Sequence, residues 1–250
     1  MRIELLLIGD ELLTGELDPY PSRIASTIRG KGASIAKLTV VPDVVREVVR
    51  ELDATCSRGT DLVLVTGGLG PTIDDVTRHA LAGFLGKELV VDYEAKSWME
   101  EALVKRHGRR PKASSAAMLM AMVPEGTEAL RNPIGVACGI KAVLGDTTIV
   151  CVPGFPNEML AMFEQYFLPL VMPEGQVERR FHVKRRETTM EPIFQVIAKE
   201  FGVRVASLPK EDWRDGGNVV MIRGHEKDVD AASKRFLELV EESRDEWEDE

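Results

Sequence analysis

Glycines and acids lie together in the segment TGGLGPTIDDVT, residues 66–77. The segment follows an apolar stretch and precedes a helical pattern, a place where a glycine backbone can approach a ligand because it has no Cβ. The N–H groups of such a loop bind anions, with the N-terminus of the next helix behind them. The candidate phosphate ligands are Gly67, Gly68, Gly70 and Thr72. An ordinary strand-to-helix turn explains a GGxG sequence equally well, and both interpretations stay open at this point.

Gly68 offers a way to separate these two interpretations. If its φ angle is negative, an alanine there leaves the fold intact, and the new methyl group stands between the amides and the ligand oxygens. On that premise, we expect Gly68→Ala to weaken nucleotide binding by about 1–3 kcal/mol, the scale of a charge-assisted hydrogen bond.

Carboxylates occupy the positions where a bound phosphate would need a cation beside it. Asp74 and Asp75 follow the glycines directly and also suit the N-cap of the next helix. Asp10 and Asp43 follow the first and second predicted strands. Because Mg²⁺ binds through one or two carboxylates together with substrate phosphates, we predict metal ligation by Asp10, Asp74 and Asp75. Asp43 lies beside them, and helix capping is the alternative for Asp10 and Asp43. The lysine of a Walker A loop is absent, which excludes a P-loop NTPase.

Two further loops are rich in turn-forming residues: NPIGVACG, residues 132–139, and PGFPNE, residues 153–158. A turn is the default interpretation of each. Two rigid loops on either side of a hairpin could also wall a flat ligand. The further candidates for substrate binding are therefore Asn132, Gly135, Pro153 and Gly154.

The elements that must position these residues alternate between strand-like and helix-like patterns. The predicted strands are residues 3–8, 34–41, 61–66, 140–144 and 147–152, the last two forming a hairpin around Gly145-Asp146. The predicted helices begin after residue 42, begin again after the glycine loop, and cover residues 93–107 and 156–167. This order predicts an α/β fold with a doubly wound, mostly parallel sheet and helices on both faces. Ligands of such sheets bind outside the carboxyl ends of the strands, so the candidates would meet at one edge.

A second unit is expected after a linker near residues 169–175. Strands at 177–184, 203–208 and 218–223 and helices at 191–201 and 227–242 predict a small β-α-β-β-α domain. Its predicted core is Ile193, Val196, Ile197, Val205, Val219, Met221, Phe236 and Leu239. The predicted domains are residues 1–170 and 175–245.

Composition excludes several classes of protein. The chain has 250 residues, of which 44% are hydrophobic and 29% charged, values typical of a soluble globular protein. The longest apolar run, residues 116–123, is far shorter than the ~20 residues that span a bilayer, and the N-terminus lacks a secretory signal, so a cytoplasmic protein is expected. A net charge of -9 makes nucleic acid an improbable partner. No CxxC or HExxH spacing occurs, which argues against a zinc site.

Four motifs together resemble one known family: GDELLTGE, TGGLGPTIDDVT, NPIGVACG and PGFPNEM, in that order. They are similar to those of the molybdenum-cofactor-biosynthesis, or molybdopterin-binding, domain family. Within it, the chain most resembles the N-terminal half of the competence/damage-inducible protein A group. The unit after residue 175 is similar to the small KH-like domain of that group. The nicotinamide-mononucleotide deamidase domain of longer members is absent, so that activity is not carried over.

The resemblance implies two activities. Members of the family join AMP to a pterin dithiolene phosphate, and the competence-protein branch is associated with metal-dependent cleavage of ADP-ribose at its pyrophosphate. The catalytic aspartates of the adenylyltransferases fall on Asp75 and Asp43. The resemblance also implies a divalent cation (Mg, or a transition metal such as Co, Mn or Ni) and self-association into a homo-oligomer.

The leading hypothesis is a metal-dependent nucleotide pyrophosphatase acting on ADP-ribose or a similar dinucleotide. The alternatives are molybdopterin adenylyl transfer and a nucleotide- or pterin-binding protein with little catalysis. RNA binding by the C-terminal unit is a weaker alternative, because its basic cluster at residues 179–186 comes without a GxxG clamp. The expected partner is a small nucleotide or pterin, with no membrane.

Overall fold

The computed structural model describes residues 1–15, 20–108, 114–172, 175–208 and 217–243. The chain divides into two compact units, Met1–Met172 and Pro173–Glu250. In the described ranges, no helix has both the length and the apolar character needed to cross a membrane.

The first unit contains most of the helices and strands. Its strands are β1 (Ile3–Ile8), β2 (Ile35–Val41), β3 (Leu62–Thr66), β4 (Leu89–Val91), β5 (Met122–Pro124), β6 (Glu128–Leu130), β7 (Gly139–Leu144) and β8 (Thr147–Val152). Its helices are α1 (Asp10–Thr14), α2 (Pro21–Gly30), α3 (Val45–Ser57), α4 (Thr77–Leu85), α5 (Tyr93–His107), α6 (Ser115–Leu119) and α7 (Pro156–Met162). A π-helical turn, Phe163–Phe167, continues α7, where the sequence predicted one helix over 156–167.

The central sheet of the described chain has six strands in the order β2-β1-β3-β8-β7-β6. The first four strands of this order run parallel to one another. The predicted hairpin is present, with β8 as a parallel member and β7 as its antiparallel partner, and β6 continues antiparallel. Because β1, β2, β3 and β8 are parallel, their carboxyl ends all lie at one edge of the sheet.

Alternate residues of the buried strands face two separate hydrophobic layers. In β1, Leu6 and Ile8 belong to the layer under α3 and α4, whereas Ile3 and Leu5 belong to the layer with α2 and α7. All six residues of β1 are buried, as expected for a strand covered on both faces. The predicted α/β class with helices on both faces of a mostly parallel sheet is confirmed.

The second unit is a three-stranded antiparallel sheet with two helices. Its elements are β9 (Gln176–Val183), α8 (Glu187–Phe201), β10 (Arg204–Leu208), β11 (Asn218–His225) and α9 (Glu226–Glu242), and the sheet order is β10-β11-β9. The β-α-β-β-α order is as predicted, although α8 begins at Glu187 instead of residue 191. The sequence also predicts a turn at Asp215-Gly216-Gly217, most of which lies outside the described residues.

The predicted core of this unit is wrong along β11. Val220 and Ile222 pack against the helices, in place of the predicted Val219 and Met221. Val196 is 45% exposed and also lies outside that core. Neighbouring strand residues point to opposite faces, and the run from Val219 to Ile222 is apolar throughout, so no polar residue marks which face is buried.

A buried ion-pair network lies at the amino end of the central sheet. Glu4 is 2% exposed and accepts hydrogen bonds from Arg58 Nη2 at 2.6 Å and Arg2 Nε at 2.9 Å. Burial alone would raise the pKa of Glu4, but the bonds from Arg58 and Arg2 outweigh it and lower the pKa to about 2. The ionised form of Glu4 therefore stabilises the folded state.

This pKa predicts how stability depends on pH. The contribution of Glu4 is fully present above its ordinary pKa of 4.5 and is lost as pH falls toward about 2. We expect wild type to lose about 1–3 kcal/mol of unfolding free energy across that window through this group. Urea unfolding at several pH values should show that the difference in unfolding free energy between wild type and Glu4→Gln decreases as pH falls. A gap that stays constant down to pH 3 would contradict the assignment.

Candidate functional site

A cleft of about 610 Å³ lies at the edge where the parallel strands end. Of the predicted site residues, it is lined by Asp43, Gly67, Gly68, Gly70, Thr72, Asp74, Asp75, Pro153 and Gly154. The lining also includes apolar residues, called the apolar wall here: Leu103, Met120, Val136 and Ala137. Asp10, Asn132 and Gly135 are predicted site residues that do not line the cleft.

The glycine loop is held by the start of α4. Thr77 Oγ1 donates to the carbonyl oxygen of Gly67 at 2.7 Å, and Thr77 N donates to that of Gly68 at 3.0 Å. The N–H and C=O of a trans peptide point in opposite directions. The two bonds therefore turn the amides of Gly68 and Leu69 away from Thr77. Within the described chain these two amides donate to no acceptor, and both residues line the cleft.

The other amides of the predicted phosphate loop are already used. Gly67 N donates to Val152 O at 3.1 Å, inside the sheet. Gly70 N and Thr72 N donate to the carboxylate of Asp75 at 2.6 and 2.7 Å, and Thr72 Oγ1 donates to it at 2.6 Å. The loop amides that stay free to bind a ligand are thus those of Gly68 and Leu69. The amides of Gly67, Gly70 and Thr72, which the sequence also predicted as phosphate donors, donate within the protein instead.

Asp75 shapes the loop and does not cap the helix. The N-cap of α4 is Val76, and no side chain caps that helix, so the predicted capping by Asp74 or Asp75 is wrong. Both carboxylate oxygens of Asp75 instead accept from the loop that precedes it. These bonds close residues 70–75 into a compact turn on the rim of the cleft.

Asp10 and Asp43 are bonded to each other's backbone. Asp10 N donates to Asp43 Oδ2 at 2.9 Å, and Asp43 N donates to Asp10 Oδ1 at 3.3 Å. Capping of α3 by Asp43 is not observed, because Val44 is the N-cap of that helix. Burial raises the pKa of Asp43, and the nearby negative charges of Glu11, Asp10 and Asp74 raise it as well. The hydrogen bond from the Asp10 backbone lowers the pKa, but by less than these effects raise it.

This arrangement provides carboxylates without a preformed metal centre. No three His, Cys, Asp or Glu side chains of the described ranges are grouped to hold a metal ion. The residues fit a cation of the Mg²⁺ type, which binds through one or two carboxylates and takes its remaining ligands from substrate phosphate and water. They do not fit a zinc site in which protein side chains supply all of the ligands.

Asn132 organises its own loop. Its Oδ1 accepts from Gly135 N at 2.7 Å, and its Nδ2 donates to Ala137 O at 3.1 Å and to Glu158 Oε2 at 2.7 Å. A Cβ at Gly135 would overlap Glu158. Asn132 and Gly135 thus position Glu158, whose side chain reaches the cleft.

Sequence reasoning missed Arg106 and Glu158 as residues of the cleft. Arg106 is the single basic residue among the described residues that line it. Its signal was weak, because it is one of several charges near the end of an ordinary helical pattern. Glu158 lies within the motif PGFPNEM, but only the fold shows that its side chain reaches the cleft.

A comparison with known families now identifies the chain's relatives. The family described as a probable molybdopterin binding domain matches residues 4–173, which include all but the first three residues of the first unit and every cleft residue discussed above. The chain belongs to this family. The resemblance inferred from the four motifs is confirmed.

Relatives in this molybdopterin-binding family extend the match beyond the first unit. Protein TK1472 of Thermococcus kodakarensis is 32% identical over 250 residues, covering 96% of this chain and 100% of its own. A CinA-like protein of Geobacter metallireducens is 36% identical, covering 84% of this chain but only 49% of its own length. The crystal structure of the protein CinA from Thermoplasma acidophilum, described as of unknown function, has 25% identity and a TM-score of 0.60, covering 69% of this chain and 100% of its own.

Proposed function

We propose that the protein is a metal-dependent nucleotide pyrophosphatase that cleaves the phosphoanhydride of ADP-ribose or a similar dinucleotide. The observation that supports this most is the pair of free amides, Gly68 and Leu69, beside the acids of one cleft. Amides that point outward bind a phosphate, and acids beside them require a cation when a phosphate is present. That combination suits a pyrophosphate better than a neutral ligand.

The charge of the cleft supports the same conclusion. Its described lining carries five acids, Glu11, Asp43, Asp74, Asp75 and Glu158, against the single base Arg106. A polyphosphate entering such a cleft would be repelled by the carboxylates. A divalent cation held by Asp75 and by Asp43 or Asp10 would remove that repulsion and withdraw charge from the phosphoanhydride. Asp74 is the further predicted ligand.

Hydrolysis then requires the chain to hold the pyrophosphate and orient water. The amides of Gly68 and Leu69 hold one phosphoryl group, and Arg106 reaches the other across the cleft. Asp43 accepts a proton from the attacking water through Oδ1, which has no partner in the described chain. The new P–O bond forms as the bridging P–O bond breaks, giving AMP and ribose 5-phosphate from ADP-ribose and one water.

The apolar wall supplies a surface for a ring. Leu103, Met120 and Val136 line the same cleft as the glycine loop. Pro153 and Gly154 line its floor, where Gly154 approaches Gly67 so closely that a Cβ on it would lie 3.2 Å from the Gly67 Cα. Planar heterocycles bind between such walls, and both adenine and a pterin fit this description.

Pterin adenylyl transfer is the second candidate, and the family's description as molybdopterin binding favours it. The same loop and acids would act, with a pterin phosphate in place of water as the acceptor. The products distinguish the two: ATP with a pterin phosphate would give an adenylylated pterin and pyrophosphate. Ligand binding without turnover in either assay would indicate a binding protein.

We infer a cytoplasmic homo-oligomer whose second unit is KH-like, because the competence-protein group has these features. Light scattering on the full chain tests the oligomeric state.

Arg106 provides a prediction with a matched control. Arg106→Ala should weaken pyrophosphate binding about tenfold, the effect of one exposed charge-assisted hydrogen bond, and should weaken inorganic phosphate binding much less. Lys105→Ala removes the same charge from the neighbouring exposed position, which does not line the cleft, and should leave both affinities within about twofold. Calorimetric titrations would measure these constants. Equal effects of the two variants would indicate general charge attraction and remove Arg106 from the site.

A further inference from the structure

Arg78 is a buried arginine directly behind the glycine loop. It is the second residue of α4 and is 1% exposed. Its Nη2 donates to the carbonyl oxygens of Leu69 at 3.0 Å, Cys138 at 3.0 Å and Met120 at 3.3 Å. Its Nη1 donates to Met122 O at 2.8 Å and contacts Cys138 Sγ at 3.6 Å. One guanidinium therefore joins segments that are distant in the sequence.

The joined segments are the ones that form the cleft. Leu69 belongs to the glycine loop, Met120 to the apolar wall, and Cys138 follows Ala137 in the loop that Asn132 organises. Thr77 orients the first two peptides of the glycine loop, and Arg78 holds the next one through Leu69 O. The free amides of Gly68 and Leu69 thus lie in a stretch of backbone whose carbonyl oxygens are held by Thr77 and by Arg78.

The charge of Arg78 has no acidic partner within the described chain. Every oxygen that accepts from it is a neutral carbonyl, and its Nε has no hydrogen-bond partner. Burying an ion without a counter-charge is costly, and proteins normally pair such a group. The positive charge lies behind amides that themselves attract an anion.

We propose that Arg78 is a positioning residue: by holding the Leu69 carbonyl it keeps the Gly68 and Leu69 amides in the orientation toward the cleft that Thr77 gives them, and an anion bound there balances its buried charge. This inference rests on the proposed function for the anion, but the positioning role can be tested without one. Lysine keeps the charge of arginine but lacks the planar fork that reaches several carbonyls at once. Arg78→Lys therefore separates geometry from charge.

The matched control is Arg58→Lys. Arg58 also forms a multiple-bond network, with Glu4 and Glu51, but at the opposite end of the sheet. Hydrogen–deuterium exchange of the full-length, anion-free proteins should show faster uptake in Arg78→Lys at residues 67–70, 118–122 and 136–139. Arg58→Lys should show it only around residues 1–6 and 51–61. Titration with inorganic pyrophosphate in the presence of Mg²⁺ should then give at least tenfold weaker binding for Arg78→Lys and less than twofold change for Arg58→Lys.

The outcomes are distinct for the two proposals. A folded Arg78→Lys protein with wild-type exchange at residues 67–70, or with wild-type pyrophosphate affinity where wild type binds it, would overturn the role of Arg78. If wild type itself binds no pyrophosphate, the proposed function fails, and the exchange pattern alone decides the positioning role. If Arg78→Lys does not fold, Arg78→Gln is measured in its place. The folded reference is then Thr77→Ser, a smaller change that keeps the hydroxyl bond to Gly67.

Discussion

An Asp75→Asn variant is expected to fold and yet lose about a hundredfold or more of its ADP-ribose hydrolysis. Both oxygens of the Asp75 carboxylate accept hydrogen bonds, one from Gly70 N and the other from Thr72. Asparagine has one acceptor oxygen, so it must give up one side of this arrangement, and it also lacks the charge that would hold a cation. Loss of groups that orient a metal or substrate typically costs about 10–100-fold, and loss of a ligand costs more. The ratio kcat/KM and a thermal melt would be measured together.

The control for this variant is Thr72→Val. It removes only the hydroxyl bond to Asp75 and keeps the backbone N–H bond and the β-branched shape. We expect it to lose much less activity than Asp75→Asn, about tenfold or below. Near wild-type activity of Asp75→Asn would remove Asp75 from the mechanism, and equal losses in both variants would assign it a purely structural role in the loop.

Gly68→Ala is expected to destabilise the fold by about 2–4 kcal/mol in addition to any effect on binding. The φ angle of Gly68 is +63°, so the premise of a negative φ, on which a clean binding test depended, is wrong. A Cβ there would also overlap Thr77 Oγ1, which donates to Gly67 O. The alanine therefore combines left-handed backbone strain with a displaced buried hydrogen bond.

Gly86→Ala is the matched control for this prediction. Gly86 ends α4 with the same φ of +63°, but nothing lies within 4 Å of its Cβ position. Gly86→Ala should therefore lose unfolding free energy through backbone strain alone, about 1–2 kcal/mol. Urea unfolding of both variants measures the difference. Equal losses of unfolding free energy in the two variants would show that Thr77 moves away from the new methyl group at no cost in stability. The loop would then be less rigid than its hydrogen bonds indicate.

The sheet was predictable from sequence because each of its main strands has a local pattern of residues that is typical of a strand. Residues 3–8 and 61–66 are largely apolar runs followed by glycine, a pattern typical of a strand buried on both faces. Where polar alternation is missing, as at residues 219–222, the buried face could not be assigned. The meeting of Asp43, the glycines and Pro153 at one edge followed from parallel strands alone.

The detailed roles within the site were not predictable, because they depend on hydrogen bonds between distant residues. Asp75 reads as an N-cap in sequence, yet its oxygens bond backward to Gly70 and Thr72. Arg78 directly follows the glycine motif and belongs to none of the four motifs, yet its side chain lies in the core. Which glycine amides remain free depends on which carbonyls Thr77 holds, and no local pattern encodes that.

The most direct test of the central claim is to identify the products when the purified full-length protein is incubated with ADP-ribose. Reactions would contain Mg²⁺, Mn²⁺, Co²⁺ or Ni²⁺, or a chelator, with Asp75→Asn as the inactive reference. We expect AMP and ribose 5-phosphate in equal amounts, only with a divalent cation and not with the variant. Intact ADP-ribose under every metal would contradict it, as would equal product formation by wild type and Asp75→Asn.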